Sequence, residues 1–199
     1  MNNLTSQIKN KLSMVCLTYN RQGFAKRQLL YFADKPVDLI IADGSEKPWS
    51  LGDSGNIGQM NWRYFNIKGA DSFFKRWLEA SKLVKTEYAC MLDDADIIFW
   101  SGLKQTVQFL EANNDYQCVG GVSSSGSIIS RNKTILCENY YQDFQLLNLN
   151  SNSPSERLLD LVSSQMTGHV FYSVIRSKTF KYMVKLITDN KTSYPISNE

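Results

Sequence analysis

The chain has 199 residues, 43% hydrophobic and 21% charged, with a net charge of +3. That length suits one domain with a sizeable core rather than two small ones. The dispersed lysines and arginines exclude the dense basic run of a nucleic-acid-binding protein, and no apolar run approaches the roughly 20 residues that span a bilayer.

In chain order, residues 1–11 are polar, without the apolar core of a signal peptide. Met14 to Thr18 (M-V-C-L-T) reads as a buried strand, followed by the turn Tyr19-Asn20-Arg21. The spacing of Ala25, Leu29, Phe32 and Ala33 predicts a helix to about Asp34, stopped by Pro36. Val37 to Ala42 is a second strand, ending at Asp43-Gly44-Ser45. Residues 45–60, with Gly52, Gly55 and Gly58, read as a loop and match neither common phosphate-binding fingerprint. Trp62 to Ile67 is a third, edge-like strand. Asp71 or Ser72 can cap a helix carrying Phe73, Trp77, Ala80 and Val84 on one face.

Glu87 to Leu92 is a short apolar run suited to a strand buried on both faces, and it ends in Asp93, Asp94 and Asp96. A strand's period of two would put Asp94 and Asp96 on one side and Asp93 on the other. Two carboxylates converging there make a hard-oxygen site for a divalent cation, commonly completed by substrate phosphates; a solvated acidic turn is the alternative. A helix from about Ser101 to Asn114 buries Leu103, Val107 and Leu110, and Gln117 to Val122 is a fifth strand. Ser123 to Ser127 reads as a turn, and the signal to Asn152 is poor, a hairpin and then an irregular loop. Pro154 starts a helix with Leu158, Leu161 and Val162 facing inward. Val170 to Ile175 is a strand candidate, and a last helix from Ser177 carries Phe180, Met183, Val184 and Ile187 on one stripe.

The cysteines Cys16, Cys90, Cys118 and Cys137 have no C-x-x-C spacing and no histidine nearby, which argues against zinc. The first three fall in apolar runs as small buried hydrophobes, favouring reduced thiols and a cytoplasmic location. Strand–helix alternation through residue 122 predicts an α/β fold with a mainly parallel sheet, whose ligands bind beyond the carboxyl ends of the strands. Three such ends carry polar groups: Thr18 to Arg21, Asp43 to Ser45, and Asp93 to Asp96. They should lie along one edge.

V-C-L-T-Y-N-R at the first strand, L-I-I-A-D-G-S at the second and E-Y-A-C-M-L-D-D-A-D at the fourth, in this order and spacing, resemble the family 2 glycosyltransferases over roughly the first 120 residues. G-H-V-F-Y-S-V-I-R-S, Gly168 to Ser177, is similar to a segment of some bacterial members. The resemblance implies the GT-A (Rossmann-like) fold, three layers α/β/α around the parallel sheet. It implies a single domain, with residues 1–122 binding the nucleotide sugar and 123–199 on the acceptor side. Thr18 and Tyr19 would line the base pocket, with Asn20 and Arg21 beside them. Asp43, with Gly44 and Ser45, would bind the base or ribose, although D-G is also a common turn pair. Asp94 and Asp96 would hold Mn2+ or Mg2+ as the D-x-D motif, and Asp93 would contact the ribose or donor sugar. Ala95 stands where a third carboxylate often sits, which leaves open which two aspartates bind the metal. Lys75 or Arg76 would approach the diphosphate, or form a solvated helix face. Glu199 lies at about the remove of the family's general base. Tyr140, Tyr141 and Phe144 would stack on an acceptor sugar or pack beneath a loop.

The resemblance implies a metal-dependent inverting glycosyltransferase taking a nucleotide-diphosphate sugar, UDP-sugar favoured. Its acceptor would be glycan or lipid-linked, in bacterial surface polysaccharide synthesis, with the enzyme cytoplasmic or peripheral at the membrane's inner face. A sugar-phosphate nucleotidyltransferase would need a Gly-rich basic loop after the first strand, where Tyr19 to Lys26 holds only Gly23. A GT-A-like module that binds nucleotide without turnover, or a truncated enzyme, is the other reading.

Overall fold

The computed structural model describes residues 10–49, 54–58, 60–67, 72–121, 125–129, 134–138, 148–163 and 169–189. They fall into two compact units, one reaching to Val119 and resuming at Val174, the other spanning Gly120–Ser173.

The first unit is built on β1 (Leu12–Thr18), β2 (Asp38–Asp43), β3 (Ser54–Ile57), β4 (Met60–Asn66), β5 (Tyr88–Asp93), β6 (Cys118–Val119) and β9 (Val174–Arg176), in the order β3-β4-β2-β1-β5-β9-β6. The four central strands, β4, β2, β1 and β5, run parallel, while β3, β9 and β6 pair antiparallel. Every residue of β1 and β2 is buried, as expected of strands covered on both faces. The chain steps outward from β1 through β2 to β4, then returns to place β5 on the other side. The reversal between β1 and β5 is the kind of switch point at which open α/β sheets bind ligands.

Among the described residues five helices accompany the strands: α1 (Gln22–Phe32), α2 (Phe73–Lys82), α3 (Trp100–Ala112), α4 (Pro154–Ser163) and α5 (Ser177–Asp189). The apolar stripes bury Ala25, Leu29 and Phe32 on α1; Trp77 and Ala80 on α2; Leu103, Val107 and Leu110 on α3; and Phe180 and Val184 on α5. The mixed α/β fold read from the sequence is therefore the fold observed.

Several local expectations change. The segment expected as a loop holds β3, so β4 is covered and is not an edge strand. Gly58 at the β3–β4 turn has φ +59, and a Cβ there would lie 2.3 Å from the Ala33 carbonyl oxygen; only glycine meets both demands. Ser72 stands at the N-cap of α2 without a side-chain cap bond; Asp71 lies outside the described residues. The expected fifth strand shortens to two residues, antiparallel to β9, and at that sheet edge Cys118 is exposed while Cys16 and Cys90 are buried. The strand expected from Val170 begins instead as a 3-10 turn, His169–Tyr172, in the second unit.

That second unit carries the hairpin β7 (Ser125–Ile129) and β8 (Thr134–Glu138), so the turn expected at 123–127 is partly strand. On α4, Leu158 and Val162 are 61% and 62% exposed, against the expectation that they face inward.

At the amino-terminal ends of the strands, Asp38 of β2 accepts from Ser13 Oγ of β1 at 3.0 Å and from the Arg63 guanidinium of β4. Arg63 also donates to the Leu83 carbonyl at 3.0 Å. Asp38 and Arg63 thus satisfy each other at this end of the sheet.

Candidate functional site

The register of the parallel strands sets Thr18 beside Asp43, Asp43 beside Asn66 and Leu17 beside Asp93. Residues far apart in sequence are thus forced onto one line, and side chains and loops cross-link it. Between β1 and β2, the Gly44 N–H donates to the Thr18 carbonyl at 3.0 Å. The Asn20 N–H, in a left-handed turn with φ 54, donates to Ser45 Oγ at 2.7 Å. Between β2 and β4, Asn66 Nδ2 donates to the Ser45 carbonyl at 2.8 Å.

Asp43 is fully buried. Its Oδ1 accepts from the Ser45 N–H at 2.8 Å and from the Ser45 hydroxyl. Its Oδ2 accepts from the Tyr64 hydroxyl at 2.8 Å and, more weakly, from Gln22 Nε2 at 3.4 Å. Burial, with Asp43 beside it, pushes the Tyr64 phenol up to about 12, so that hydroxyl remains a donor. Asp43 therefore fixes the turn, the structural role the sequence allowed for it, and does so at a strand end aligned with Thr18 of β1.

β5 stops at Asp93, and residues 94 and 95 form a turn, so strand alternation does not carry through to Asp96. Asp94 is 2% exposed, whereas Asp96 is exposed and Asp93 intermediate. Thr18 Oγ1 donates to Asp94 Oδ2 at 2.6 Å, across the switch point between β1 and β5. Asp94 Oδ1 is buried with no hydrogen bond of its own, and Arg21 Nη2 lies 3.2 Å away as its counter-charge. Burial holds the Asp94 carboxyl above its ordinary range; Thr18 and Arg21 pull it down, and neighbouring Asp93 pushes it up. Strand alternation, which would put Asp94 and Asp96 on one side, thus ends at residue 93, and the turn that follows leaves Asp94 buried and Asp96 exposed.

These positions test the fit of the divalent ion implied by the sequence. Among the described residues no three histidine, cysteine, aspartate or glutamate side chains gather as a metal cage. Magnesium-type ions need no such cage, since one or two carboxylates with substrate phosphate oxygens suffice. Asp94 has its Oδ2 taken by Thr18 and the Arg21 charge beside its Oδ1. Asp96 is open to solvent on the same turn, with half-buried Asp93 nearby in sequence. The donor set fits an ion shared with a phosphorylated ligand, with Asp96 as the available carboxylate.

Cations and aromatics surround the edge. The Arg21 and Arg27 guanidinium carbons lie 4.8 and 5.2 Å from the Phe24 ring centroid. Arg76 is buried, 5.4 Å from the centroid of the 40% exposed Tyr19 ring. Lys75, the alternative at that register, is exposed; Arg76 is the basic residue of α2 brought to the β1 loop. Sequence reasoning missed Arg27, Gln28 and Tyr64. Gln28 sits on an otherwise apolar stripe, fully buried, which is itself an anomaly that marks a polar partner. Glu199, Tyr140, Tyr141 and Phe144 lie outside the described residues.

No protein-family model and no curated protein sequence matches the chain. Among solved structures it is similar to S. aureus TarS, a glycosyltransferase. Against TarS 1-349 the TM-score is 0.51 at 15% identity, covering 90% of this chain and 49% of that one. A second TarS structure matches with a TM-score of 0.48 at 15% identity, covering 91% of this chain and 30% of that one. The chain thus spans about half the length of TarS 1-349. No helix among the described residues is long and apolar enough to cross a membrane. The likeness at this identity shows the fold alone, a mixed α/β domain on a mostly parallel central sheet like that of TarS 1-349.

Proposed function

We propose that this chain is a glycosyltransferase domain of the family 2 kind, which binds a nucleotide-diphosphate sugar at the carboxyl edge of β2, β1 and β5 and transfers the sugar with inversion. The observation that carries the reading is the alignment of the three sequence motifs at the switch point, with Thr18 hydrogen-bonded to Asp94 at 2.6 Å.

The chain's own groups divide the work. Tyr19 offers a partly exposed ring for a base. At Asp43 the 3.4 Å contact from Gln22 is the weakest of four, and it is the one a base N–H or ribose hydroxyl can replace. Gly44 and Ser45 hold that turn, and Asn20 ties it to the β1 loop. Arg21, 45% exposed at its side chain, has guanidinium N–H groups beyond its Asp94 contact to meet phosphate oxygens. Arg76 adds positive charge behind Tyr19. Asp96, with Asp93 beside it, would hold Mn2+ or Mg2+ against the diphosphate. A bound divalent cation supplies Lewis-acid stabilisation of the negative charge that builds on the departing nucleoside diphosphate. A carboxylate must take the acceptor hydroxyl's proton; the residue suggested for this, Glu199, lies outside the described residues.

A loop of only three residues joins β1 to α1, which leaves no room for the Gly-rich basic loop of a nucleotidyltransferase. The second reading is a donor-binding module without turnover, favoured by coverage of only 49% of the TarS 1-349 chain. Incubation with UDP-glucose, UDP-galactose or UDP-N-acetylglucosamine and manganese should release UDP, by slow hydrolysis or faster transfer to glycan and lipid-linked acceptors. Chelation should stop the release. Binding of UDP with no release from any donor would reject the enzyme in favour of the binding module.

A further inference from the structure

The acidic turn 93–96 is held by its backbone as well as by its side chains. Where β5 ends, its carbonyls lose their ladder partners, and buried carbonyls without donors are costly. Helix α1 supplies the donors. Gln28 Nε2 lies 3.4, 2.9 and 2.5 Å from the carbonyl oxygens of Asp93, Asp94 and Asp96. Arg27 Nη2 donates to the Asp94 carbonyl at 3.0 Å and to that of Ala95. One turn further along α1, the Tyr31 hydroxyl donates to the Ile98 carbonyl at 3.1 Å and accepts from the Trp100 N–H at 3.3 Å. Within the turn, Asp93 Oδ1 accepts from the Ala95 N–H at 2.8 Å.

The carbonyls of Asp94, Ala95 and Asp96 are thus held by side chains of α1, while that of Asp93 accepts from the Asp96 N–H at 3.3 Å within the turn. Gln28 is fully buried and Arg27 is braced against Phe24, so neither donor is free to wander. An ion-binding carboxylate must be presented in one geometry, and groups behind the ligands typically change metal affinity about 10–100-fold when removed.

We infer that Arg27 and Gln28 are positioning residues: by fixing the carbonyls of residues 94–96 they aim Asp96 at the divalent ion and donor diphosphate. This rests on the nucleotide–metal reading of the strand-end site. It assigns to α1 a role that neither the D-x-D residues nor the nucleotide loop supplies.

The test is calorimetric titration of UDP into wild type, Gln28→Ala, Arg27→Ala and Arg27→Lys, each with manganese and with EDTA. Circular dichroism and melting temperature are recorded for every variant. The manganese-dependent gain in UDP affinity should fall about 10-fold or more in Gln28→Ala and Arg27→Ala, as for removal of a group behind a metal ligand. UDP affinity in EDTA should stay at the wild-type value, and Arg27→Lys should recover part of the gain. A general loosening of the domain would lower both affinities together, and that result overturns the positioning role. So does a wild-type manganese gain in Arg27→Ala. Should Gln28→Ala fail to fold, the half-buried Arg27 variants decide alone. Absence of any manganese-dependent UDP binding by wild type would instead remove the nucleotide–metal reading, and the positioning role with it.

Discussion

Replacing Asp43 with alanine should lower the free energy of unfolding by about 3 kcal/mol and abolish nucleotide binding. The magnitude follows from the groups it leaves behind, since a buried donor without an acceptor costs about 1–3 kcal/mol. Asp43→Ala strands the Ser45 N–H, the Ser45 hydroxyl and the Tyr64 hydroxyl in a site with no exposure to water. The damage should spread, because Ser45 also accepts from the Asn20 N–H and Tyr64 from the Trp49 N–H at 2.8 Å. Asp43→Asn keeps the shape and one acceptor and should cost less than half as much. Urea unfolding checks this, and an Asp43→Ala protein within about 1 kcal/mol of wild type would contradict the account, a single net hydrogen bond being worth that much.

Asp96→Ala should behave in the opposite way, leaving stability alone and removing metal. Its side chain is exposed, and substitutions at such positions usually fall within about 0.5 kcal/mol. As the open carboxylate of the turn, however, its loss should weaken manganese-dependent UDP binding by at least about 100-fold, the upper end of what supporting groups contribute. Asp94→Asn should separate the two aspartates. Asparagine still accepts from Thr18 but loses the ion pair with Arg21, so the diphosphate contact of Arg21 is disturbed while the metal is retained. Manganese affinity that depends on Asp94 and not on Asp96, in folded proteins, would reverse the assignment.

The sheet and its site edge were legible because their signals are local. Apolar runs such as L-I-I-A mark buried strands, and each ends in polar residues that a parallel register must bring together. The stripes of α1, α2 and α3 were legible from spacing. What could not be read depends on partners distant in sequence. The strand β3 was hidden because S-G-N-I has no apolar alternation and exists by pairing with β4. The different burial of Asp94 and Asp96 could not be read because period-two logic ends once the chain turns at residue 94. Arg76 over Lys75 was undecidable, since adjacent helix positions differ only in which one meets Tyr19. Leu158, Leu161 and Val162 form an apolar pattern that fits an inward face, yet α4 buries none of its residues. Periodicity reports that a helix has an apolar side; it does not report what lies against it.

The central claim is that the switch point between β1 and β5 is a metal-assisted nucleoside-diphosphate site. Calorimetric titration of UDP into the wild-type protein, with manganese and then with chelator, tests it most directly, with GDP, CDP and dTDP put through the same measurement. The account predicts saturable one-to-one binding of at least one of the four, stronger with manganese and weakened by chelation. A folded sample that binds none of them in a metal-dependent way would contradict it.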